Sequence, residues 1–475
     1  MAEPTTTNAT ASTATETAEA YWQLEQDFFS LVPEGLNYDL IIRLIEYAPI
    51  KRQGDQGEVT ESVTSKVVEF RVLREVLVKG SKEFEEKLRL QKDANGNKEK
   101  DASMIEIHED SAVAFTIWIK ILHATFDPAS DDEDFIQNIG IQDLYFVLAM
   151  ANKYSFSTTI TSAKSWFEKW YAHHSSPSNT QANQQDPRSA SSRHHGRNGY
   201  GFDYHAHSAR LLPTYMFDHA PGFRAATKYL VYRATGQITA RLPFGGSTTV
   251  SQLKKCYPHT NFGALILEPK ILPQLNAAKT RLKTILHRGL WNQIADLLLR
   301  AACRCKPFVL FAYEVALTHA GVWPLEIAGL SNSIDFLLRK LENFGHGQNG
   351  QGVYQPPTCG SKACTFNFVD VVEKSRRECK MGFDGLCLDC MDQSTSEDEV
   401  KEQRFWQKAK GGAGWDQGCR VRHGQSSWYF SWLGDRAKVV AWIEEKKVSG
   451  PNAGRRRVGG HGDGGGQYGD QGRGP

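Results

Sequence analysis

The sequence predicts an α+β protein with two folded blocks, and three observations lead to that prediction. Residues 67–72 and 104–107 alternate apolar and polar side chains, as half-buried strands do, whereas apolar residues at helical spacing dominate elsewhere. At 475 residues the chain exceeds the length of one average domain. Its 40% hydrophobic content is typical of globular proteins, but 41 glycines indicate that some segments stay unfolded.

Composition sets the expected boundaries between folded and unfolded segments. The Thr/Ala-rich residues 1–19, the Ser/Gln/Asn/His-rich residues 175–208 and the Gly/Arg-rich residues 448–475 are expected to be disordered. Residues 393–403 form an acidic linker. The folded parts that remain are an N-terminal block at 20–174, a helical block with a cysteine cluster at 209–392 and a Trp-rich module at 404–447. We expect that module to dock on the second block or to form a partner-binding surface.

The first block has a readable order of elements. Strand 67–72 is followed by a short helix, 75–88, and by the strand 104–107. Ser111 can cap the next helix, in which Phe115 and Trp118 belong to a broad apolar face. Two further helices are expected at 141–154 and 159–171. The predicted order is strand, helix, strand and then three helices.

Four short stretches of this block carry a family resemblance. They are FRVLREVL at 70–77, SKEF at 81–84, IEIHED at 105–110 and LYFVLAMANKY at 144–154. With the order of elements, they resemble a BTB/POZ domain, in particular the divergent type abundant in filamentous fungi. The chain departs from the family at Leu73, where many members carry His, and at residues 91–103, which lengthen one loop.

The resemblance implies a function in protein–protein interaction. BTB domains use exposed strand edges and an N-terminal helix, here expected at 20–50, to pair with a second copy or another protein. Many members form homodimers, and some dock on cullin scaffolds as substrate adaptors of ubiquitin ligases. The expected function is therefore that of an adaptor or scaffold with protein partners, including a possible homodimer and a possible cullin.

The second block is expected to be mainly helical. Apolar residues at helical spacing, i, i+7, i+10 and i+11 in one case and i, i+3, i+4 and i+7 in two others, form single stripes, which predict helices packed on a core. The stripes are Leu275, Leu282, Ile285 and Leu286, then Phe308, Phe311, Ala312 and Val315, and finally Ile334, Leu337, Leu338 and Leu341. The block is also similar to the C-terminal half of fungal proteins with this architecture, through FDHAPGF at 217–223, LNAAK at 275–279, GVWPLE at 321–326 and FDGLCLDC at 383–390. That similarity implies an architecture and no activity.

Short-spaced cysteine pairs predict a structural zinc site in this block. Two such pairs can close a tetrahedral thiolate site that leaves no position for water. The preferred ligands are Cys359, Cys364, Cys387 and Cys390, with a helix at 368–379 between the pairs. An alternative set brings in Cys303 and Cys305, and reduced structural thiols remain a second alternative. Cys256, Cys379 and Cys419 are interpreted as packing or exposed thiols.

No catalytic or cofactor-binding residue is predicted. The chain has no HExxH, GxSxG, P-loop or strand-following GxGxxG motif. Asp218–His219 and His173–His174 are interpreted as structural, and His319 is an outside candidate for zinc. We therefore expect a protein without enzymatic activity.

Charge and hydropathy bear on partners and location. The net charge of +2 gives no global attraction to nucleic acid or to an anionic membrane. The alternative function is a zinc-stabilised, nucleic-acid-associated regulator that uses the cysteine region and the Gly/Arg tail. No run of apolar residues is long enough to span a membrane, and the N-terminus lacks the features of a secretory signal. An intracellular protein is expected, with nuclear and cytoplasmic residence both open.

Overall fold

The computed structural model of the chain describes two compact units. The first lies within residues 1–276 and 326–339, and the second within 277–325 and 340–475. The described residues are 26–30, 38–54, 57–95, 103–108, 111–123, 132–175, 201–240, 242–244, 260–301, 303–345, 354, 367–394 and 418–423.

The first unit contains a four-stranded mixed sheet with the strand order β1–β3–β2–β4. Its strands are β1 (Gln26–Ser30), β2 (Leu40–Gly54), β3 (Gly57–Val72) and β4 (Ser103–His108). β2 and β3 pair antiparallel, with Ile42 opposite Phe70. β1 is parallel to β3, and β4 is parallel to β2. Leu40, Ile42 and Leu44 of β2 and Val68, Phe70 and Val72 of β3 alternate with less buried residues, so one face of this part of the sheet carries the core.

Fourteen α-helices lie in the described residues, together with a 3₁₀ turn at Phe262–Ala264. Eight belong to the first part of the chain: α1 (Arg74–Gly80), α2 (Lys82–Asn95), α3 (Ala112–Leu122), α4 (Asp132–Asn138), α5 (Ile141–Tyr154), α6 (Thr161–Ser175), α7 (Gly201–Met216) and α8 (Ala220–Arg233). The other six are α9 (Ile271–Arg300), α10 (Lys306–His319), α11 (Leu325–Ser331), α12 (Ile334–Lys340), α13 (Phe368–Met381) and α14 (Leu388–Ser394). None of the helices in these ranges is long and apolar enough to cross a lipid bilayer.

The N-terminal helix expected at 20–50 is wrong, because β1 and β2 lie within those residues. Leu40, Ile42 and Leu44 are fully buried, whereas the residues between them are only half-buried. This period of two and the β-branched side chains favour a strand over a helix. The rest of the interval at 20–25 and 31–37 lies outside the described residues.

The predicted order of strand, helix, strand and three helices is present, with two refinements. The helix expected at 75–88 divides into α1 and α2 at Ser81, whose hydroxyl donates to the Tyr154 carbonyl and accepts from the Phe84 amide. Ser111 caps α3 by accepting from the Ala114 amide. The short helix α4 is an addition that the apolar pattern did not indicate. An α+β fold is confirmed.

Aromatic side chains form the core between the sheet and helices α2, α3 and α5. Phe115 lies 5.2 Å from Phe70, centroid to centroid, and Phe84 lies 5.0 Å from Tyr154. The indole of Trp118 donates to the Val147 carbonyl at 2.8 Å, so its one polar atom is satisfied inside the core. These contacts join the strands and helices of the first unit around one apolar centre.

The compact units differ from the predicted domains at the first boundary. α7 begins at Gly201, inside the stretch 175–208 that we expected to be a disordered linker. α7 and the turn after it belong to the first unit and pack against α5 and α6. The Tyr145 hydroxyl of α5 donates to the Ala209 carbonyl at 2.9 Å, and Phe217 stacks 4.6 Å from Phe167 of α6. The change in composition at 175–208 therefore does not coincide with the end of the first compact unit, which includes residues up to 276.

The second unit is built mainly from α9, α10 and α13. The Tyr313 hydroxyl donates to the Leu290 carbonyl at 2.9 Å, and its ring stacks 3.9 Å from Phe368. A Cβ on Gly289 would lie 2.4 Å from the Ser375 hydroxyl oxygen, so the helices α9 and α13 approach each other closely there. The predicted helix at 368–379 is confirmed as α13.

Two of the three predicted apolar stripes are buried, and the stripe on α10 is wrong. Phe308 and Phe311 are 71% and 68% exposed. The buried face of α10 instead carries Val309, Tyr313 and Leu317. Because this helix is apolar on two faces, its periodicity could not identify the side that packs.

We expect Phe115→Ala to lower the free energy of unfolding of the first unit by about 3–5 kcal/mol, because it opens a cavity among packed aromatic rings. Val113→Ala on the same helix is the matched control: Val113 is 39% exposed, and a change of about 0.5 kcal/mol or less is expected. Urea denaturation followed by far-ultraviolet circular dichroism measures both. Equal losses for the two variants would contradict the assignment of this core.

Candidate metal centre

Two potential metal ligands lie where α13 gives way to α14. The connecting loop contains Gly385 at φ 95°, a left-handed conformation that glycine adopts without a steric penalty. Cys387 directly precedes α14 and Cys390 lies in its first turn, where the Met391 amide donates to the Cys387 carbonyl at 3.0 Å. The turn places the two thiols next to each other.

The other two potential ligands come from residues 418–423, which we call the ligand segment. It begins at Gly418, with φ 87°, and contains Cys419 and His423. Val421 and His423 are buried, whereas Gly418, Arg420 and Arg422 are exposed. The segment thus turns its ligands and one apolar side chain inward.

The ligand atoms of Cys387, Cys390, Cys419 and His423 all lie within 4.8 Å of one another. The Cys390 and Cys419 sulfurs are 3.7 Å apart, and the Cys390 sulfur is 3.3 Å from His423 Nε2. Zinc bonds of ~2.3 Å to sulfur and ~2.0–2.1 Å to nitrogen imply separations of about 3.8 Å between two sulfurs and about 3.6 Å between sulfur and nitrogen in a tetrahedron. The cluster could therefore hold a metal ion with little rearrangement.

The cluster is largely shielded from solvent. Cys387, Cys390 and His423 are buried, and Cys419 is half-buried. Three neighbours in sequence, Leu386, Leu388 and Met391, are buried as well. An apolar surrounding limits the access of water and chelators and strengthens the attraction between a cation and thiolates.

Hydrogen bonding within the cluster shifts the pKa values of Cys387 and Cys390 in opposite directions. Hydrogen bonds with Cys390 and then with Cys419 lower the pKa of the Cys387 thiol well below its ordinary value. The same interaction with Cys387, followed by that with Cys419 and by burial, raises the pKa of Cys390. Of these two thiols Cys387 is therefore the more acidic, and a thiolate is the form that binds a metal.

Within the described residues, two of the four predicted ligands lie in the cluster. Cys387 and Cys390 lie in the cluster, whereas Cys359 and Cys364 lie outside the described residues. Cys303 and Cys305 are bonded to each other in a disulfide and are not members of it.

Cys419 and His423 are the potential ligands that the sequence analysis missed. Cys419 was interpreted as a packing or exposed thiol, but it lies 3.7 Å from the Cys390 sulfur. The available signal was the spacing Cys419-x₃-His423, which is suitable for two ligands on one turn. The sequence analysis considered only pairs of cysteines, so it overlooked this pair of a cysteine and a histidine.

The ligand segment also belongs to the stretch 404–447 that we predicted to be an appended module. Its ligands join Cys387 and Cys390, which precede the acidic linker predicted at 393–403. Residues 418–423 thus lie against the cysteine region, whereas the tryptophans for which docking was predicted lie outside the described residues.

The remaining Cys and His candidates have structural contacts or lie elsewhere. Cys379 donates to the Leu282 carbonyl at 3.4 Å, and burial raises the pKa of its thiol to about 12, as expected for a packing thiol. His219 caps α8 by accepting from the Gly222 amide at 3.1 Å. His174 lies 2.9 Å from the Trp170 carbonyl, and burial lowers its pKa. Cys256 lies outside the described residues, and His319 is exposed and not part of the cluster.

Comparison with known proteins finds no match to this chain among protein-family models, curated proteins or solved structures.

We expect Cys419→Ser and His423→Ala each to lower the bound metal of the purified full-length chain to well below one ion, because each removes one of four ligands. Cys359→Ser and Cys364→Ser are the matched controls and should leave the metal content unchanged. Mass spectrometry of metals and of the native protein measures the stoichiometry. Loss of metal in the two controls, with retention in Cys419→Ser, would instead support the ligand set predicted from the sequence.

Proposed function

We propose that this chain is a non-enzymatic interaction protein, an adaptor or scaffold, whose second unit is stabilised by one structural zinc ion. The observation that carries the zinc assignment is the convergence of Cys387, Cys390, Cys419 and His423 within 4.8 Å. The support for the interaction function comes from the sheet of the first unit and from the resemblance of that unit to BTB/POZ domains.

The types of donor favour zinc over other common cations. Three thiolates and one imidazole suit zinc, which binds sulfur and nitrogen in tetrahedral sites. Magnesium and calcium prefer oxygen ligands, and the cluster offers none. The separations of 3.7 and 3.3 Å lie close to those of a zinc tetrahedron.

Four protein ligands also favour a structural role over a catalytic one. A catalytic zinc ion commonly keeps one coordination position for water or substrate, whereas a site with four protein ligands is closed. Binding of zinc stabilises the folded chain relative to the unfolded one, in which the ligand segment is not held near α14. This role requires no substrate.

The sheet of the first unit supports an interaction with another protein chain. Among the described residues, β1 and β4 each pair with one strand only, so each presents an outer edge. Such edges expose backbone donors and acceptors that can pair with an added strand. Met104 on β4 is 45% exposed and adds an apolar side chain to that edge.

The order of elements in the first unit is the one on which the resemblance to BTB/POZ domains rests. On that basis the favoured partner is a second copy of this chain, and docking on a cullin scaffold is a narrower form of the same proposal. A nucleic-acid-associated function depends on the Gly/Arg tail at 448–475, which lies outside the described residues.

We expect the purified chain to contain one zinc ion and to lose stability when a strong chelator removes it. A ligand that binds only the folded state stabilises it by about 2.7 kcal/mol when its free concentration is 100-fold above its Kd. Thermal unfolding with and without chelator, and after zinc is added back, measures the effect. An unchanged melting temperature in protein shown to have lost its zinc would contradict a stabilising role.

We expect the chain to form a homodimer that Met104→Glu weakens, because the new charge lies on the edge strand β4. Leu90→Glu is the matched control: Leu90 is 55% exposed and lies on the helix α2 rather than on a strand. Light scattering after size exclusion, over a range of protein concentrations, measures the mass. A monomer at every concentration would contradict pairing with a second copy, and equal weakening by both substitutions would contradict the assigned edge.

A further inference from the structure

A charged pair bridges the two halves of the metal centre. Asp389 lies between Cys387 and Cys390, and Arg420 follows Cys419. The backbone amide of Arg420 donates to Asp389 Oδ2 at 2.7 Å. The guanidinium of Arg420 reaches Asp389 Oδ1 through Nε at 2.9 Å and through Nη2 at 2.8 Å. One carboxylate thus receives three contacts from the residue next to a ligand on the opposite segment.

We propose that Asp389 and Arg420 are positioning residues of the metal centre, which hold the ligand segment against α14 before the metal binds. The proposal rests on the proposed function, since it assigns a role at the same zinc site. With the pair closed, Cys419 and His423 are already near Cys387 and Cys390 when the ion arrives. Metal binding then does not have to bring two separate segments together, and affinity rises because the site is preorganised.

The backbone hydrogen bond is the more specific part of the bridge. The ligand segment forms no helix or strand, so the Arg420 amide needs an acceptor from elsewhere, and the Asp389 carboxylate supplies it. This bond fixes the main chain at the position adjacent to Cys419. The Asp389 side chain is 16% exposed, and the hydrogen bond itself lies at the surface.

The guanidinium has a separate electrostatic role. Three thiolates and one zinc ion leave the centre with one net negative charge, and the Asp389 carboxylate beside it adds a second. Arg420 offsets that charge through two contacts with a single carboxylate oxygen. Asp389 can therefore hold the segment without repelling the thiolates.

Arg422 provides an internal contrast. It lies in the same segment, two residues after Arg420 and directly before His423, and it is exposed. A substitution there removes the same charge at nearly the same position in the chain. Any effect specific to the Asp389–Arg420 pair is therefore absent from an Arg422 variant.

The test measures zinc affinity of the full-length chain by competition with a chromogenic chelator, using Asp389→Ala, Asp389→Asn, Arg420→Ala and Arg422→Ala. We expect Asp389→Ala to weaken zinc binding by ~10–100-fold, the range for lost outer contacts of a metal site. Arg420→Ala should weaken it less, because its backbone amide can still donate to Asp389. Asp389→Asn should also weaken it less, because the amide oxygen remains an acceptor. Arg422→Ala should bind as the wild type does.

A spectroscopic measurement separates positioning from ligation. With cobalt(II) in place of zinc, the saturated Arg420→Ala and Asp389→Asn proteins should keep the absorption bands of the wild-type tetrahedral site while requiring more metal to reach them. The double variant Asp389→Ala/Arg420→Ala should bind no more weakly than Asp389→Ala alone, because the two residues act as one unit.

Two results would overturn the proposal in different ways. Wild-type affinity in Arg420→Ala and Asp389→Asn, in protein that binds one zinc ion tightly, would overturn the positioning role and leave the zinc site intact. Absence of zinc binding by the wild type would overturn the zinc site itself, and the pair with it. If Asp389→Ala does not fold, the comparison of Arg420→Ala with Arg422→Ala still decides the question.

Discussion

The arrangement of the cysteine region depends on one constraint: four ligand atoms from two separate segments must lie within 4.8 Å of one another. Burying three thiols and an imidazole together is unfavourable unless their polar atoms are satisfied. Hydrogen bonds between them do so in part, and a metal ion would do so fully. Together, α14, the turn at Gly385 and the ligand segment bring these four atoms close to one another.

The two units meet the requirement for stability by different means. The first buries a continuous set of aromatic and aliphatic side chains between a sheet and its helices, with Trp118 and Tyr145 each satisfied by a backbone carbonyl. The second has helices packed around Tyr313 and Phe368, but its ligand segment contributes only one buried apolar residue, Val421. A segment with so little apolar burial needs polar or metal contacts to stay in place.

What the sequence could predict depended on whether the relevant contact was local. Helices α6 and α13 each bury a single stripe of side chains, and their periodicity was sufficient to predict them. The N-terminal strands and the buried face of α10 were missed, since short apolar runs and helices with two apolar faces fit more than one packing. Cys387 and Cys390 were found from their spacing, whereas Cys419 and His423 join them only through the tertiary fold.

The same convergence changes how the C-terminal part of the chain is understood. Composition suggested a linker at 393–403 and a separate Trp-rich module at 404–447, yet ligands from both sides of that linker share one centre. The four clustered side chains and the Asp389–Arg420 pair therefore anchor residues 418–423, which lie in the middle of the Trp-rich stretch of the sequence. If the proposed zinc ion occupies the cluster, its loss would weaken the hold on residues 418–423, because the contacts that remain are one buried apolar side chain and one charged pair.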